Sequence, residues 1–272
     1  MKKIAIFILT LTTPLACAFS QDTVPLGKYG RTLKQLNVLI GGATYPFLLD
    51  TGGGETVITP ELAAKNCKKI YGKTVGFRMH GEAASYQKCD GIDLKIGNTK
   101  LHHPSVGVFD IMSLLPSVAP KIYGMIALKS FQDKVITLDL PASELTIETK
   151  KSAKKKRKQM TLLDSRFPTG MSGNELDILL GIRRNDALYW FLFDTGNGHH
   201  PLISPQTAYD WGLQQDPVSS GTTHQTEISF GPRAETVNFD SDEIIYDGVL
   251  NYDLISKRAY LIDFVKKQVW MN

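Results

Sequence analysis

The tripeptide Asp-Thr-Gly occurs twice in this chain, each time inside a longer repeated pattern. Residues 47–54 (FLLDTGGG) match residues 191–198 (FLFDTGNG) at a constant offset of 144. After one additional residue in the second copy, VITPELA is matched by LISPQTA. An apolar strand, an acidic turn, a second apolar stretch and a Ser/Thr-Pro pair therefore recur in the same order. The repeat predicts two related half-domains, each of which delivers one aspartate, Asp50 or Asp194.

The repeat extends in both directions and indicates a mainly β fold. Residues 36–40 and 176–180 are short β-prone runs that meet a turn, so each aspartate is expected at the end of a hairpin's second strand. Each half closes in the same way, at residues 123–139 and 247–263. A glycine and an apolar pair are followed by a short helical stretch and an apolar strand.

Two short helices are predicted from their start signals. Thr59-Pro60 and Ser204-Pro205 each place a hydroxyl at a helix N-cap and a proline at the first helical position. The helices should cover residues 61–69 and 206–213.

The two halves differ in the length of their middle segments. Asp50 and Gly124 are 74 residues apart, whereas Asp194 and Gly248 are 54 residues apart. The excess is about the length of one hairpin, and residues 75–86, which contain Gly81, have the pattern of a β-hairpin with a glycine-rich tip. The first half is therefore predicted to carry a flap that the second half lacks.

Residues 1–18 have the pattern of a secretory signal peptide. A basic start is followed by an apolar run over residues 4–15 and by Ala-Cys-Ala. Cys17 raises the alternative of a lipoprotein, but Pro14-Leu15 fits that signal poorly. Since no later segment is long and apolar enough to span a membrane, we expect an exported, soluble protein, located in the periplasm or outside the cell.

Removal of the signal peptide leaves two cysteines, Cys67 and Cys89. In an oxidising compartment an intradomain disulfide is the default for such a pair. Metal binding is the weaker alternative, because no other cysteine or histidine stands at ligand spacing. A structural disulfide is expected.

The positive charge is concentrated between the two halves. Seven of the nine residues 150–158 are basic, from Lys150 to Lys158, so the formal net charge of +4 becomes −5 without them and the two lysines of the signal peptide. Such a run predicts a flexible linker, at residues 150–159, between an N-terminal lobe (19–149) and a C-terminal lobe (160–272). Weak contact with an anionic surface is the alternative. Nucleic acid is not expected as a partner, because no aromatic residues interrupt the lysines.

The paired Asp-Thr-Gly turns and the two apolar-Gly-apolar-apolar segments resemble those of pepsin- and retropepsin-like aspartic proteases of the two-lobed bacterial type. The resemblance extends from about Leu33 to Trp270. It implies a bilobal, mainly β, acid-protease-like fold, with two β-barrel-like lobes related by a pseudo-twofold axis. It also implies that Thr51 and Thr195 brace the two turns through their hydroxyls.

The chemistry of the two turns supports the same interpretation. Asp50 and Asp194 each leave an apolar strand at a turn where Gly52 and Gly196 allow backbone geometry that a Cβ would resist. Two carboxyls brought together cannot both ionise cheaply, so they share one proton, as in aspartic proteases. The pair could then activate a water molecule for attack on a peptide carbonyl, without a covalent intermediate, metal or cofactor.

Several positions depart from the family's usual pattern. Gly53 and Asn197 stand where Ser, Thr or Ala is usual, and Ala127 and Asn251 replace glycines. Gly53 removes a hydroxyl that could bond the catalytic carboxyl, whereas Asn197 could supply a substitute donor.

The remaining candidate residues are weaker. Gly81, Tyr86 and Asn197 are predicted to contact substrate, with Gly81 and Tyr86 in the flap. The adjacent histidines His199-His200 are predicted to lie at the rim of the site or on the surface, because neighbours in an extended segment point to opposite sides. His102-His103 is also expected at the surface.

We therefore predict a monomeric aspartic endopeptidase that acts on peptide or protein substrates in the cleft between the lobes. The alternative is a non-catalytic peptide- or protein-binding module that keeps the protease fold. Serine and zinc hydrolase motifs are absent from the sequence.

Overall fold

The computed structural model describes residues 21–101, 105–170, 173–184, 186–231 and 233–272. The predicted signal peptide, residues 1–18 with Cys17, and the pair His102-His103 lie outside the described residues. In the described part, no helix is long and apolar enough to cross a membrane.

Strands make up most of the described chain, and its helices are short. The strands of the first half are β1 (Asp22–Pro25), β2 (Gly27–Tyr29), β3 (Leu33–Ile40), β4 (Ala43–Leu49), β5 (Val57–Ile58), β6 (Lys69–Phe77), β7 (Ala83–Asp90), β8 (Lys95–Ile96), β9 (Thr99–Lys100), β10 (Ser105–Val108), β11 (Gly124–Ile126), β12 (Val135–Asp139) and β13 (Glu144–Ile147). The strands of the second half are β14 (Thr161–Leu163), β15 (Ser165–Arg166), β16 (Leu179–Arg184), β17 (Ala187–Phe193), β18 (Leu202–Ile203), β19 (Thr223–Phe230), β20 (Arg233–Ser241), β21 (Gly248–Leu250), β22 (Ala259–Asp263) and β23 (Gln268–Met271). The α-helices are α1 (Pro60–Asn66), α2 (Lys150–Arg157), α3 (Pro205–Asp210) and α4 (Tyr252–Ile255), and 3-10 turns cover Ile111–Leu114 and Leu128–Phe131.

Among the described residues the strands form three sheets. The N-terminal lobe contains the order β6-β7-β10-β5-β11-β4-β3-β8-β9, with β2 paired to β3. The C-terminal lobe contains the order β15-β16-β17-β21-β18-β20-β19. The third sheet, β1-β13-β12-β22-β23-β14, takes strands from both halves. This is the bilobal, mainly β architecture that the sequence repeat predicted.

The repeated sequence produces the same strand pairing in both lobes. In each lobe the strand that ends just before the aspartate, β4 or β17, pairs in parallel with the strand that begins at the repeated glycine, Gly124 of β11 or Gly248 of β21. That second strand also pairs antiparallel with β5 or β18. Each aspartate therefore leaves a strand that is enclosed by neighbours on both sides.

The six-stranded sheet joins the two lobes into one body. Its central strands β12 and β22 are the strands that close the two halves, and they pair antiparallel from Val135 opposite Asp263 to Asp139 opposite Ala259. Above this sheet, the Phe193 ring lies 4.8 Å from the ring of Tyr260. Buried side chains from both lobes form one continuous hydrophobic cluster.

The two predicted helix starts are confirmed. The hydroxyls of Thr59 and Ser204 accept backbone N–H groups three residues later, at 3.4 and 3.1 Å. Both helices are shorter than predicted. The helix α1 ends before Cys67, whose backbone is extended, and α3 ends before Gly212, which takes a φ of +70°.

The predicted disulfide bond between Cys67 and Cys89 is also confirmed. It joins the end of α1 to β7. The first helix is thereby tied to the base of the β6–β7 hairpin.

This β6–β7 hairpin is the predicted flap, with its turn at residues 78–82. In the C-terminal lobe, β19 and β20 occupy the places of β7 and β10, because β20 pairs in parallel with β18 as β10 does with β5. No strand of the described C-terminal lobe takes the place of β6. The extra length of the first half is shared between β6 and the small β8–β9 hairpin.

The prediction of a flexible linker at residues 150–159 is wrong as to its conformation. These residues form α2, which starts with a capping box in which Thr149 and Ser152 exchange hydrogen bonds of 2.9 and 3.0 Å. Its inner face packs on the six-stranded sheet through Ala153, which is 1% exposed. The segment connects the lobes as an ordered helix.

Candidate active site

The two aspartates of the repeated turns lie at the ends of β4 and β17, where the backbone turns back toward the cleft. The carboxyl of Asp50 accepts the N–H of Gly52 at 3.0 Å. The carboxyl of Asp194, which is 5% exposed, accepts the N–H groups of Gly196 at 2.6 Å and Asn197 at 3.2 Å. Each side chain is thus oriented by its own turn.

The two turns pack directly against each other. A Cβ on Gly52 would collide with the carboxyl of Asp194, and a Cβ on Gly196 would lie 2.7 Å from Oδ1 of Asp50. Neither glycine has a positive φ, so the sequence-based reason for them, unusual backbone geometry, is wrong. Glycine is needed because each turn must make room for the carboxyl of the other lobe.

Two threonines connect the turns across the lobe interface. The N–H of Thr51 donates to Oγ1 of Thr195 at 3.1 Å, and the N–H of Thr195 donates to Oγ1 of Thr51 at 2.9 Å. Each hydroxyl in turn donates to a carbonyl of the opposite strand, that of Phe193 at 2.6 Å and that of Leu49 at 3.4 Å. Since all these groups are buried, the network fixes the separation of the two aspartates.

Burial raises the pKa of both carboxyls above its ordinary value. The pKa of Asp194 is raised further, because the charge of Asp50 adds to the effect of burial. The pKa of Asp50 is held down by the N–H groups of Gly52 and Gly53 and by a hydrogen bond from Asp194. The two carboxyls therefore share one proton and titrate as a pair, and the pKa of Asp194 is the more strongly raised of the two.

A cavity of about 530 Å³ opens in front of the two carboxyls. Both turns, the flap and the 3-10 turn at Ile111–Leu114 surround it. Its lining includes Gly53, Phe77, Met79, Tyr86, Met125, Glu175, Asp177, Leu192 and Tyr246. A second cavity of about 570 Å³ lies on the other side of the flap tip and is bordered by residues of the C-terminal lobe such as His199, Leu202, Thr223 and Asp240.

Comparison with known families agrees with this geometry. The family model described as aspartyl protease matches residues 36–128. This range includes Asp50, the flap and β11. The match covers most of the N-terminal lobe and none of the C-terminal lobe. No curated protein matches the chain in sequence.

Solved structures extend the likeness to the second lobe. Conglutin gamma, a basic 7S globulin from lupine seeds, aligns with a TM-score of 0.59 at 10% identity, over 93% of this chain and 94% of its own. Basic 7S globulin from soybean aligns with a TM-score of 0.56 at 8% identity, over 93% and 94%. At such identities the likeness shows the fold alone, and neither description names an enzymatic activity. The predicted acid-protease-like fold is confirmed.

In this aspartyl protease fold the weaker predicted site residues have different positions. Tyr86 lines the cavity and donates its hydroxyl to Glu55 at 2.8 Å. Gly81 lies in the flap turn and faces Ile245 rather than the cavity. Asn197 was predicted to contact substrate or to bond the catalytic carboxyl through its side chain. Asn197 lines the second cavity. Its amide donates to the carbonyl of His200 at 3.3 Å rather than to the carboxyl, and its backbone N–H donates to Asp194.

The departures from the aspartyl protease pattern have structural consequences. A Cβ on Gly53 would collide with the methyl group of Met125, so a side chain there would require Met125 to move. The N–H of Ala127 donates to the hydroxyl of Thr56 at 3.0 Å. Asn251 caps α4, and its amide donates to the carbonyl of His199 at 2.7 Å. The adjacent histidines His199 and His200 are both exposed, and His200 lies beside Asp240.

The sequence analysis missed three further carboxylates of the cleft. Glu55 is buried and forms an ion pair with Lys88. Glu175 and Asp177 line the cavity from the C-terminal lobe, and burial raises the pKa of Asp177 to about 6, although the Tyr246 hydroxyl bonds it at 3.2 Å. The sequence does contain a signal for Asp177, because a carboxylate between two apolar residues, Leu176 and Ile178, is costly to bury and often marks a site.

The flap tip is bonded to the C-terminal lobe. The carbonyl of Met79 accepts the N–H of Ile245 at 2.9 Å. Nε2 of His80 lies 3.0 Å from Oδ2 of Asp242. The flap therefore bridges the cleft and separates its two cavities. Within the described residues, no group of three or more His, Cys, Asp or Glu is arranged to hold a metal ion.

Proposed function

We propose that the chain is an aspartic endopeptidase whose catalytic residues are Asp50 and Asp194. The observation that carries the proposal is the pair of buried carboxyls, held by both turns and braced by Thr51 and Thr195, which face one cavity. Structural aspartates that only satisfy turn amides have no need to meet across a lobe interface or to share a proton.

The chemistry follows from the protonation of the pair. The ionised Asp50 removes a proton from a water molecule as the water oxygen attacks the peptide carbonyl, while Asp194 donates its proton to the carbonyl oxygen. The product is a neutral gem-diol. Asp50 then gives its proton to the amide nitrogen while Asp194 takes a proton from a gem-diol hydroxyl, so the C–N bond breaks, an amine and a carboxylic acid leave, and the pair returns to its starting protonation. All the steps use the two carboxyls and water, so no covalent intermediate forms.

The substrate is expected to be an extended segment of a peptide or an unfolded protein. The cleft runs on both sides of the flap tip, through cavities of about 530 and 570 Å³. A chain that fills it must displace or pass under the bond between Met79 and Ile245.

A non-catalytic binding module remains the second candidate. It is favoured by Gly53, which lacks the hydroxyl that the family usually provides and beside which the methyl group of Met125 lies. The flap, whose tip is hydrogen-bonded to the C-terminal lobe, also restricts entry to Asp50 and Asp194. Such a module would keep the cleft and bind peptides without cleaving them.

The test is a peptidase assay on an unfolded protein at mildly acidic pH, with the inhibitor pepstatin. Asp50→Asn, Asp194→Asn and the double variant should each lose at least about 10³-fold in activity, and the double variant should lose little more than either single one, because the two groups act together. Asp93→Asn, at an exposed residue paired with Lys100, is the matched control.

Substantial activity in either single variant would contradict the proposal that Asp50 and Asp194 act as one catalytic unit. If the wild type binds peptides but cleaves none, and the Asn variants bind equally well, the binding module is correct.

We also propose that the protein acts outside the cytoplasm. The bond between Cys67 and Cys89 supports this location, because such bonds persist mainly in oxidising compartments.

A further inference from the structure

The helix α2 has two faces of different character. On its inner face Ala153 is buried, Lys156 pairs with Glu148 at 2.7 Å, and Arg157 pairs with Asp263. The Arg157 guanidinium also lies 4.7 Å from the ring of Trp270. These contacts fix the helix rigidly on the six-stranded sheet.

The outer face carries only exposed lysines. They are Lys150, Lys151, Lys154, Lys155 and Lys158. Their spacing of three and four residues places them on one side of the helix. Within the described part of the chain, none of the five has an ion-pair partner, whereas the two basic residues of the inner face are both paired.

This arrangement works against the stability of the helix. Lysines four residues apart repel each other, and Lys150 and Lys151 stand at the positive end of the helix dipole. The capping box at Thr149 and the ion pairs of the inner face hold α2 in place despite these costs. Since none of the five outer lysines has an ion-pair partner among the described residues, their grouping points to a partner outside the molecule.

The lysine face lies on the side of the six-stranded sheet away from the dyad. Along β22, Leu261 packs under α2, whereas Tyr260 and Ile262 point into the main core. Tyr260 contacts Phe193, the residue before Asp194. If α2 binds to a surface, the cleft therefore faces away from that surface.

The charged face continues beyond the helix. Lys266 and Lys267 follow Asp263, which Arg157 binds, in the turn between β22 and β23. Both are exposed, and Val265 beside them is 69% exposed. Without residues 150–158 and the two lysines of the predicted signal peptide the formal net charge is −5, so the excess of positive charge is concentrated in α2.

We infer that the outer face of α2 docks on a membrane surface that contains anionic lipid headgroups. The lysines stand on one side of a rigid helix, so all can approach a flat charged surface together. The outer face of α2 has no apolar residue to insert, and Val265 alone stands beside the lysines of the neighbouring turn. This predicts adsorption mainly by charge and hence strong weakening by salt. A nucleic acid fits less well, because this face offers no aromatic side chain for bases to stack on.

The test is co-sedimentation of the mature protein with phosphatidylcholine vesicles, with and without phosphatidylglycerol. Each lysine near an anionic surface strengthens binding by about fivefold. Replacement of the five outer lysines of α2 by Gln should therefore weaken binding to the anionic vesicles by at least about 100-fold. Wild-type binding should be lost at high salt and on neutral vesicles.

The matched control replaces five exposed lysines of the N-terminal lobe, Lys28, Lys68, Lys69, Lys73 and Lys95, by Gln. It changes the net charge equally and should retain most of the binding. Circular dichroism and thermal unfolding check that both variants fold.

Three outcomes would overturn the proposal. They are equal binding of the wild type to neutral and anionic vesicles, equal loss in the two five-lysine variants, and displacement of the protein from vesicles by duplex DNA at an equal concentration of phosphate. The proposal does not depend on the peptidase activity.

Discussion

At the scale of residues, the site combines features that the repeat predicted with charges that it could not reveal. The matched turns predicted Asp50, Asp194 and the two threonines. A local pattern that recurs in two related lobes predicts that its two copies meet about a pseudo-twofold axis. Glu55 and Lys88 were not predictable in the same way. Their burial depends on the packing of β7 against the first turn, and a sequence does not show which surface charges will be enclosed.

Asp177 gives a prediction about pH. Its folded-state pKa, about 6, lies above the ordinary value of 3.8 because of burial. The stability that its protonated form contributes is full below the unfolded-state pKa and is lost as the pH rises through about 6. Asp177→Asn should therefore stabilise the protein at pH 7, by an amount on the order of 3 kcal/mol, and have little effect below about pH 4.

Urea unfolding of the wild type and of Asp177→Asn across this range measures the effect. Asp110→Asn, at an exposed residue, serves as control and should show no such trend. A constant difference between wild type and Asp177→Asn at all pH values would contradict the titration of Asp177.

At the scale of elements, the local residue patterns predicted the helix starts correctly, whereas the basic composition of residues 150–158 predicted the wrong conformation. The helix starts at Thr59 and Ser204 were predictable, since cap and proline are adjacent in sequence. The helix α2 was missed because seven basic residues in nine predict an extended chain. Its formation depends on a local cap but also on Asp263, which lies 106 residues further along the chain.

The flap provides a prediction at this scale. His80→Ala removes the side-chain link to Asp242 but leaves the bond between Met79 and Ile245. Exposed pairs of this kind contribute at most about 1 kcal/mol, so the hydrogen exchange of the Ile245 N–H should rise by no more than about fivefold.

His200→Ala is the matched control for this experiment, because it breaks a comparable exposed pair with Asp240 inside one lobe. It should leave the exchange at Ile245 unchanged. Equal exchange in the wild type and in His80→Ala would mean that the side chain does not help to close the flap.

At the scale of the whole molecule, the shared sheet couples the lobes. The pairing of β12 with β22 and the continuous core mean that neither lobe can unfold without exposing the other. We therefore expect one cooperative transition rather than two. The sequence predicted the lobes and their symmetry but not this sheet, because the pairing of two distant strands has no local signal.

Leu261→Ala tests the coupling, because this buried residue of β22 packs between the sheet and α2. It should destabilise the protein by about 2–5 kcal/mol. Tryptophan fluorescence, which reports on the second half of the chain, and hydrogen exchange in the N-terminal lobe should shift together. Leu114→Ala, at a half-exposed residue, is the control. A shift in only one signal would show that the lobes unfold separately.

The single flap gives the cleft a direction. In an assembly of two identical halves, a bound peptide could lie with its N-terminus toward either side, because both sides would be the same. Here one side of the dyad is covered by β6 and β7 and carries Met125 beside Gly53, while the other carries Asn197 and the loop that holds Ile245. For the proposed peptidase, a peptide substrate can therefore bind in only one orientation. The product that carries the new N-terminus then always leaves from the same side of the cleft.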